Sequence, residues 1–285
     1  MRVVRRALLA PMLALALAPA VAASAVAQVS DSLRTSREPL FTKRDAVVAV
    51  ALVGGTALLM ATADEPIARA ITDADGALRN ETARDLSSTV KLVNERSLFA
   101  VSGGAWLVGL ATRSERMSRF GLHSMEALLG TAAVHTVIKG AMGRSRPFET
   151  RALGEYDAFD LHFGKGFSDP HLRSMPSLHV GGTMAFTTVL SDELDRWRPG
   201  ELRWLRPIMY TAATLPGVAR MYTDKHWASD VLFGAVSGYA VGRKVARYTR
   251  THPTNRIDRW LLRDAALTVG SRGEAIVAFT IPARF

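Results

Sequence analysis

Six apolar segments follow one another along the chain, and they constrain its fold more than any other feature. They cover residues 46–63, 98–111, 127–138, 180–190, 207–218 and 231–242. Their pattern is helical throughout, and the chain shows no alternation of strands and helices of the kind that a parallel sheet needs. The sequence therefore predicts an all-α fold, a helical bundle of about six core helices.

The lengths of these segments leave two settings open for the bundle. The first segment is an unbroken run of 18 weakly polar residues, AVVAVALVGGTALLMATA, which is at the lower limit for crossing a bilayer. The later segments are about a dozen residues long, whereas a spanning helix needs about 20. Glycines permit close helix approach in either setting; they are Gly181, Gly182, Gly234, Gly238 and Gly242. The bundle is therefore either compact and soluble, or membrane-embedded with helices that extend beyond their apolar centres.

The first 27 residues have the pattern of a secretory signal peptide. MRVVRR supplies a positive start, ALLAPMLALALA an apolar centre, and Ala25-Val26-Ala27 a cleavage site of small residues. We therefore expect residues 1–27 to be removed and the protein to be exported. An uncleaved membrane anchor is the alternative. Residues 28–44 are polar and form a surface segment or a short helix.

The charge and the cysteine count limit the partners and the chemistry. Removal of Arg2, Arg5 and Arg6 with the signal lowers the formal net charge from +10 to +7. This surplus suits anionic partners such as phosphate substrates, acidic lipid head groups or nucleic acid. Export and the lack of a recognisable binding pattern argue against nucleic acid. The chain has no cysteine, which excludes disulfides, thiolate metal sites and cysteine nucleophiles.

The C-terminal part differs from the helical domain, which we place at residues 45–250. A basic cluster follows the last apolar segment, with Arg243, Lys244, Arg247, Arg250, Arg256, Arg259 and Arg263. It is either a cytoplasmic flank of a spanning helix, an acidic-lipid contact or an ordinary solvated face. The last residues, LTVGSRGEAIVAFTIPARF, alternate around Ser-Arg-Gly, which predicts a short β-hairpin. Residues 251–285 are thus expected to form a basic tail and a hairpin.

Three short polar clusters stand at the ends of apolar segments. They contain Lys139 with Arg146-Pro147, then Pro176-Ser177-Leu178-His179, then Arg220 with His226 and Asp230. Each cluster alone has an ordinary structural interpretation: a basic helix end, a serine N-cap, and an aspartate that caps a helix or pairs with a charge.

The third cluster also has a chemical interpretation. His226 and Asp230 are four residues apart, so on a helix their side chains share a face. A carboxylate that holds an imidazole in one tautomer makes the ring a better nucleophile or base. A His-Asp metal pair is the alternative, but no His-Glu-x-x-His motif or second ligand cluster accompanies it.

In this order and spacing, the three clusters resemble the type 2 phosphatidic acid phosphatase and vanadium haloperoxidase superfamily, over roughly residues 45–245. That family carries Lys, six residues, Arg-Pro; then Pro-Ser-Gly-His; then Ser-Arg, five residues, His, three residues, Asp. Two positions depart from the pattern: Leu178 stands for the glycine, and Ala219 stands for the serine before Arg220. These departures affect substrate fit and phosphate coordination and leave both histidines and the aspartate in place.

The resemblance implies a role for each site residue. Lys139, Arg146 and Arg220 would clamp the phosphate oxygens, with Ser177 and the backbone N–H of Leu178 as neutral donors. His226 would attack phosphorus and form a phosphohistidine while Asp230 orients its ring. His179 would protonate the leaving group and then activate water. No metal or other cofactor is implied.

The expected function is a metal-independent, acid-phosphatase-type hydrolase of phosphate monoesters or diphosphates, plausibly lipid-linked. Its expected partner is a phosphorylated lipid or small molecule, with membrane association and an active site that faces the periplasm. One alternative is a haloperoxidase that binds vanadate in the same pocket. Another is a non-catalytic envelope protein that binds anionic lipid through its basic tail. The aromatic connection 148–173 is either a substrate-covering lid or an ordinary packed loop.

Overall fold

The structure is a computed structural model. It describes residues 41–269 and 274–279, except positions 74, 75, 77, 79, 91 and 254. The predicted signal peptide lies outside the described residues, as does the polar segment up to residue 40.

Helices account for nearly all of the regular structure in the described ranges. They are α1 (Lys43–Thr62), α2 (Asp64–Thr72), α3 (Glu81–Val90), α4 (Glu95–Thr112), α5 (Glu115–Met142), α6 (Pro147–Ala152), α7 (Leu178–Trp197), α8 (Leu205–Tyr222), α9 (Ala228–Thr251) and α10 (Arg256–Asp258). Short 3₁₀ turns at Lys165–Phe167 and Pro170–Leu172 interrupt the connection before α7, and a π-helical turn, Arg259–Arg263, continues α10. The expected all-α bundle is confirmed.

Local sequence signals set several of the helix ends. Thr42 caps α1: its side-chain oxygen accepts a hydrogen bond from the Asp45 backbone N–H, and the Asp45 carboxylate accepts one from the Thr42 backbone N–H. Such a capping box satisfies N–H groups that the first turn leaves free. At the C-terminal end of α5, Gly143 is the capping residue, with a φ of 58°. A left-handed residue at this position is easiest for glycine, which lacks a Cβ.

Helix α7 is the centre of the bundle and packs against α5, α8 and α9. Its buried side chains include Val180, Met184 and Val189. Helix α9 approaches it closely through glycines: a Cβ added at Gly238 would lie 2.1 Å from the Gly181 carbonyl oxygen. The predicted role of Gly238 in close helix approach is therefore confirmed, because any larger residue would separate the two backbones.

The C-terminal segment forms the predicted β-hairpin. Strands β1 (Ala265–Val269) and β2 (Ala275–Phe279) are antiparallel, with Ala265 opposite Phe279. The Trp106 indole N–H donates to the Leu261 carbonyl at 3.0 Å and thereby ties the turn before the hairpin to α4. The predicted Ser-Arg-Gly turn itself lies outside the described residues.

Among the described helices, α1 is long and apolar enough to cross a membrane. Most of its side chains are exposed, including Val47, Val50 and Val53. The other described residues leave this apolar helix mostly uncovered, so α1 differs from the buried core helices of the bundle, and this exposure favours contact with another apolar environment.

Candidate active site

The three polar clusters predicted from the sequence lie at one end of the bundle. Lys139 is in the last turn of α5 and Arg220 in the last turn of α8. Ser177 and Trp227 are the residues immediately before α7 and α9, so His179 and His226 lie where these two helices begin. The C-terminal ends of α5 and α8 and the N-terminal ends of α7 and α9 therefore lie at the same end of the bundle. Residues at these helix ends and in the adjoining loops can form a site that the helices hold in place.

His226 is buried beside Asp230. Its Nδ1 lies 3.5 Å from Asp230 Oδ2, which directs the other ring nitrogen, Nε2, away from the carboxylate. Burial lowers the pKa of His226 to about 3 and outweighs the opposing effect of Asp230. The imidazole is therefore neutral at physiological pH, which is the form that a nucleophile requires.

Asp230 has several partners besides His226. Ser174 Oγ donates to Oδ2 at 2.6 Å, and the Trp227 backbone N–H donates to the same oxygen at 3.0 Å. Burial alone would raise the pKa of Asp230, but the Arg144 charge and His226 hold it well below its usual range. The carboxylate does cap α9, as the structural interpretation predicted, and it is also fixed next to the imidazole.

A buried arginine that the sequence analysis did not single out holds this carboxylate in place. Arg144 has no exposed surface, and its guanidinium donates to Asp230 Oδ1 at 2.6 Å, to Asp64 Oδ2 at 2.7 Å and to the Ala158 carbonyl at 2.7 Å. The Asp64 carboxylate also accepts from the Ser229 backbone N–H at 2.8 Å. This network connects α2, α9 and the connection before α7.

The three predicted cations lie within electrostatic range of one another. The pKa of Lys139 is lowered to about 8, chiefly by burial and also by the charges of Arg146 and Arg220, while Asp230 and Glu95 oppose the shift. Burial and Arg146 also lower the pKa of Arg220. Lys139 Nζ donates to the Arg173 carbonyl at 2.7 Å. Cations that lower each other's pKa lie close together, and we call this group of three the cationic pocket.

Several donors in this pocket have no intramolecular partner. Arg146 Nε, Arg220 Nε and Ser177 Oγ are shielded from solvent, and none of them makes a hydrogen bond within the described part of the chain. Ser177 is the residue before α7, yet its side chain makes no capping bond. Buried donors are almost always paired, so unpaired donors from three separate motifs indicate a site for an anion.

His179 has an acidic partner from another helix. Its Nδ1 lies 3.2 Å from Oε1 of Glu95, the first residue of α4. Burial lowers the pKa of His179, and the charges of Arg220, Lys139 and Arg146 act in the same direction, while Glu95 opposes them. No motif marks Glu95 in the sequence. The same cations, Lys139 and Arg220, lower the pKa of both His179 and His226, so both rings lie within electrostatic range of the cationic pocket.

The remaining expected residues lie around the pocket. Leu178 begins α7, where the first backbone N–H groups have no helical acceptor. Ala219 is buried in α8. His135 is fully buried in α5, with Nε2 2.8 Å from Ser237 Oγ, and burial lowers its pKa to about 3. It is a neutral core residue one turn from Lys139.

The connection between α6 and α7 is packed at some points and exposed at others. Tyr156 and Ala158 are buried against Trp227, whereas Phe159, Phe163 and Phe167 expose half or more of their surface. The Arg144 backbone forms an isolated bridge with Leu161. The connection is therefore packed in part, as the loop interpretation predicts, and it also presents apolar side chains to the outside; its role as a substrate-covering lid stays a prediction.

Comparisons with known proteins concern the family and the fold. The model of the PAP2 superfamily matches residues 120–253. A lipid A 1-phosphatase of Porphyromonas gingivalis is 38% identical over 69 residues, which are 24% of this chain and 15% of that protein. The chain thus spans only a small part of this curated relative.

A solved structure gives the same fold. It is a transmembrane PAP2-type phosphatidylglycerolphosphate phosphatase from Bacillus subtilis, with a TM-score of 0.50 and 18% sequence identity. The similarity covers 73% of this chain and 97% of the other. The family match includes the segments that carry Lys139, His179 and Asp230, together with the helices that position them. Residues 120–253, somewhat less than half of the chain, are therefore similar to the PAP2 superfamily.

Proposed function

We propose that this protein is a phosphoric ester hydrolase that acts on phosphate monoesters or diphosphates, with a lipid-linked phosphate as its substrate. The observation that carries the proposal is the set of buried, unpaired donors on Arg146, Arg220 and Ser177 beside a neutral His226. A tetrahedral oxyanion fits these donors, and its phosphorus would face a nucleophile. The match of residues 120–253 to the PAP2 superfamily and the phosphatase names of both relatives support the reaction class.

The proposed reaction proceeds in two steps on His226. In the first, Nε2 attacks phosphorus, the bond from phosphorus to the leaving oxygen breaks, and His179 gives that oxygen a proton. In the second, the now neutral His179 takes a proton from water, the hydroxide attacks the phosphohistidine, and inorganic phosphate and free His226 result. Lys139, Arg146 and Arg220 stabilise the charge on the phosphate oxygens in both steps. With three cations in place, the proposed chemistry requires no metal ion or other cofactor.

Exposed apolar surface supports a lipid substrate and association with a membrane. Besides α1, helix α5 exposes Leu129, Val134 and Val137, and Phe163 and Phe167 lie on the connection that leads to the site. Apolar surface of this kind can contact acyl chains while the phosphate lies in the cationic pocket. Together with the export signal predicted in residues 1–27, this supports a cell-envelope location with the site on the periplasmic side.

The full chain should be expressed and fractionated into membranes and soluble extract. Phosphate release should then be measured with a phosphorylated lipid in mixed micelles and with a soluble phosphate ester. We expect activity in the membrane fraction, a higher kcat/KM for the lipid, and no dependence on added divalent ions. Equal kcat/KM for both substrates would overturn the lipid assignment. Halide oxidation that depends on vanadate, or no hydrolysis at all, would overturn the phosphatase.

Glu95→Gln is expected to lower the pH at which activity is lost on the basic side of the pH profile. Glu95 is the neighbour that raises the pKa of His179. Removal of its charge lowers that pKa, so the imidazolium that protonates the leaving group is lost at a lower pH. The basic limb of the kcat/KM profile should therefore shift to lower pH, whereas Glu201→Gln, at an exposed salt bridge with Arg198, should not move it. An unchanged basic limb in Glu95→Gln would contradict this role.

A further inference from the structure

A second cluster of ionisable side chains lies in the bundle far from the active site. His123 and Glu126 are on the first half of α5, and Asp258 is the last residue of α10. His123 precedes Lys139 by 16 positions, which is about 24 Å along a helix. The cluster therefore takes no part in the phosphate chemistry proposed above, and the PAP2 motifs do not account for it.

The three side chains present one ligand atom each to a common point. Their ligand atoms all lie within 4.8 Å of one another. His123 and Glu126 are three residues apart, which places both on one face of α5. His123 is 2% exposed and Asp258 is 4% exposed. Three nitrogen and carboxylate ligands in a largely buried arrangement are suited to a first-row divalent ion that keeps its fourth position for water.

The histidine is oriented for metal ligation. Its Nδ1 lies 3.4 Å from Glu193 Oε1 and is hydrogen-bonded to it, so Nε2 faces Asp258 and Glu126. A ligating histidine characteristically donates its other ring N–H to a carboxylate in this way. Arg196 Nε lies 3.8 Å from the same Glu193 oxygen, so the charge of Glu193 is balanced by Arg196. The two negative charges of Glu126 and Asp258 can then balance a divalent ion.

The distance between His123 and Asp258 also fits a shared ion. Nε2 lies 3.4 Å from Asp258 Oδ1, and neither atom makes a hydrogen bond within the described residues. Two ligands at about 2.0–2.2 Å from one tetrahedral ion are about 3.3–3.6 Å apart. A buried nitrogen and a buried oxygen are thus held at ligand spacing without being bonded to each other.

We propose that His123, Glu126 and Asp258 bind one divalent transition-metal ion, such as Zn²⁺, with Glu193 orienting the imidazole. Asp258 is the ligand that comes from the C-terminal segment, and Trp106 already ties the following turn to α4. The ion is therefore a structural clamp that fastens the C-terminal turn and hairpin to the end of the bundle. A proton on His123 would compete with the metal ion, because a protonated imidazole would also neutralise part of the negative charge of the surrounding carboxylates.

The test is metal binding by the purified full chain in detergent. After loading with Zn²⁺ and exhaustive dialysis, we expect one equivalent per chain by elemental analysis, and a higher Tm than the chelator-treated protein has. Co²⁺ in place of Zn²⁺ should give the visible absorption of a tetrahedral site. Less than a tenth of an equivalent, with a Tm that does not respond to Zn²⁺, would show a proton-held ion cluster and overturn the proposal.

Variants locate the ion and separate binding from folding. Asp258→Asn and Glu126→Gln should abolish stoichiometric binding, and Glu193→Gln should weaken affinity by about 10–100-fold. Glu115→Gln, which changes an exposed pair on the same helix, should bind like the unmodified protein. Stoichiometric binding that survives both Asp258→Asn and Glu126→Gln would place the ion elsewhere and also overturn the proposal. These readouts do not use phosphate release, so they are independent of the proposed hydrolase.

Discussion

His226→Ala is expected to lower kcat for phosphate release by at least about 10³-fold, because the proposed reaction loses its nucleophile. The protein should stay folded, since the His226 ring makes no hydrogen bond that the described core depends on. Asp230 keeps its bonds from Arg144, Ser174 and the Trp227 backbone in this variant. The loss should therefore appear in kcat, with substrate binding by the cationic pocket largely retained.

The measurement combines steady-state kinetics with trapping of the intermediate. Rapid quenching with a substrate labelled at phosphorus should give an acid-labile, base-stable phosphoenzyme in the unmodified protein and none in His226→Ala. His252→Ala, at an exposed ring stacked on Tyr248, is the matched control and should keep full activity. His226→Ala with near-normal turnover would show that the imidazole is not the nucleophile, and the proposed function would have to be abandoned.

His179→Ala separates the two chemical roles. For a substrate whose leaving group is already a weak base, the first step needs little help from an acid, whereas hydrolysis of the phosphohistidine still needs a base. This variant should therefore accumulate the phosphoenzyme that His226→Ala cannot form. The same trapping experiment distinguishes them.

The residues that the sequence identified are those whose relation is local. His226 lies just before α9 and Asp230 in its first turn, not on one helix face as the spacing predicted, while Ser177 and His179 are two positions apart at the start of α7. Within each motif the short separation alone keeps the side chains near one another. Arg144, Asp64 and Glu95 could not be identified in this way. Glu95 reaches His179 from a helix that begins more than 80 positions earlier, and this contact exists only because the bundle brings α4 and α7 together.

The six core helices were predicted in number and order but not in extent, and the shorter helices α2, α3, α6 and α10 were not predicted. The apolar segment 127–138 is less than half of α5, which has 28 residues. The first half of α5 buries Ser118, His123 and Ser124, and polar residues in a core are not visible in a search for apolar runs. Their burial depends on partners from other elements, such as Glu193 and Asp258, that no local pattern reveals.

Arg144→Ala is expected to destabilise the fold by about 3–5 kcal/mol, the cost of breaking a buried ion pair from one side. The variant leaves the carboxylates of Asp64 and Asp230 without the cation that they share, and both carboxylates are buried. Chemical denaturation followed by tryptophan fluorescence measures the change. Arg198→Ala, at an exposed pair with Glu201, is the control and should cost about 0–1 kcal/mol. Equal losses in the two variants would contradict the network.

A second substitution shows whether the loss comes from uncompensated charge or from lost packing. Asp64→Asn in the Arg144→Ala background removes one of the two stranded carboxylates, so it should restore part of the stability. In the unmodified background the same Asp64→Asn change should destabilise, because Arg144 then loses an ionic partner. A sign reversal of this kind is a coupling that independent sites do not show. If Asp64→Asn destabilises equally in both backgrounds, Arg144 acts through its volume, and the carboxylate beside His226 is fixed by Ser174 and the start of α9 alone.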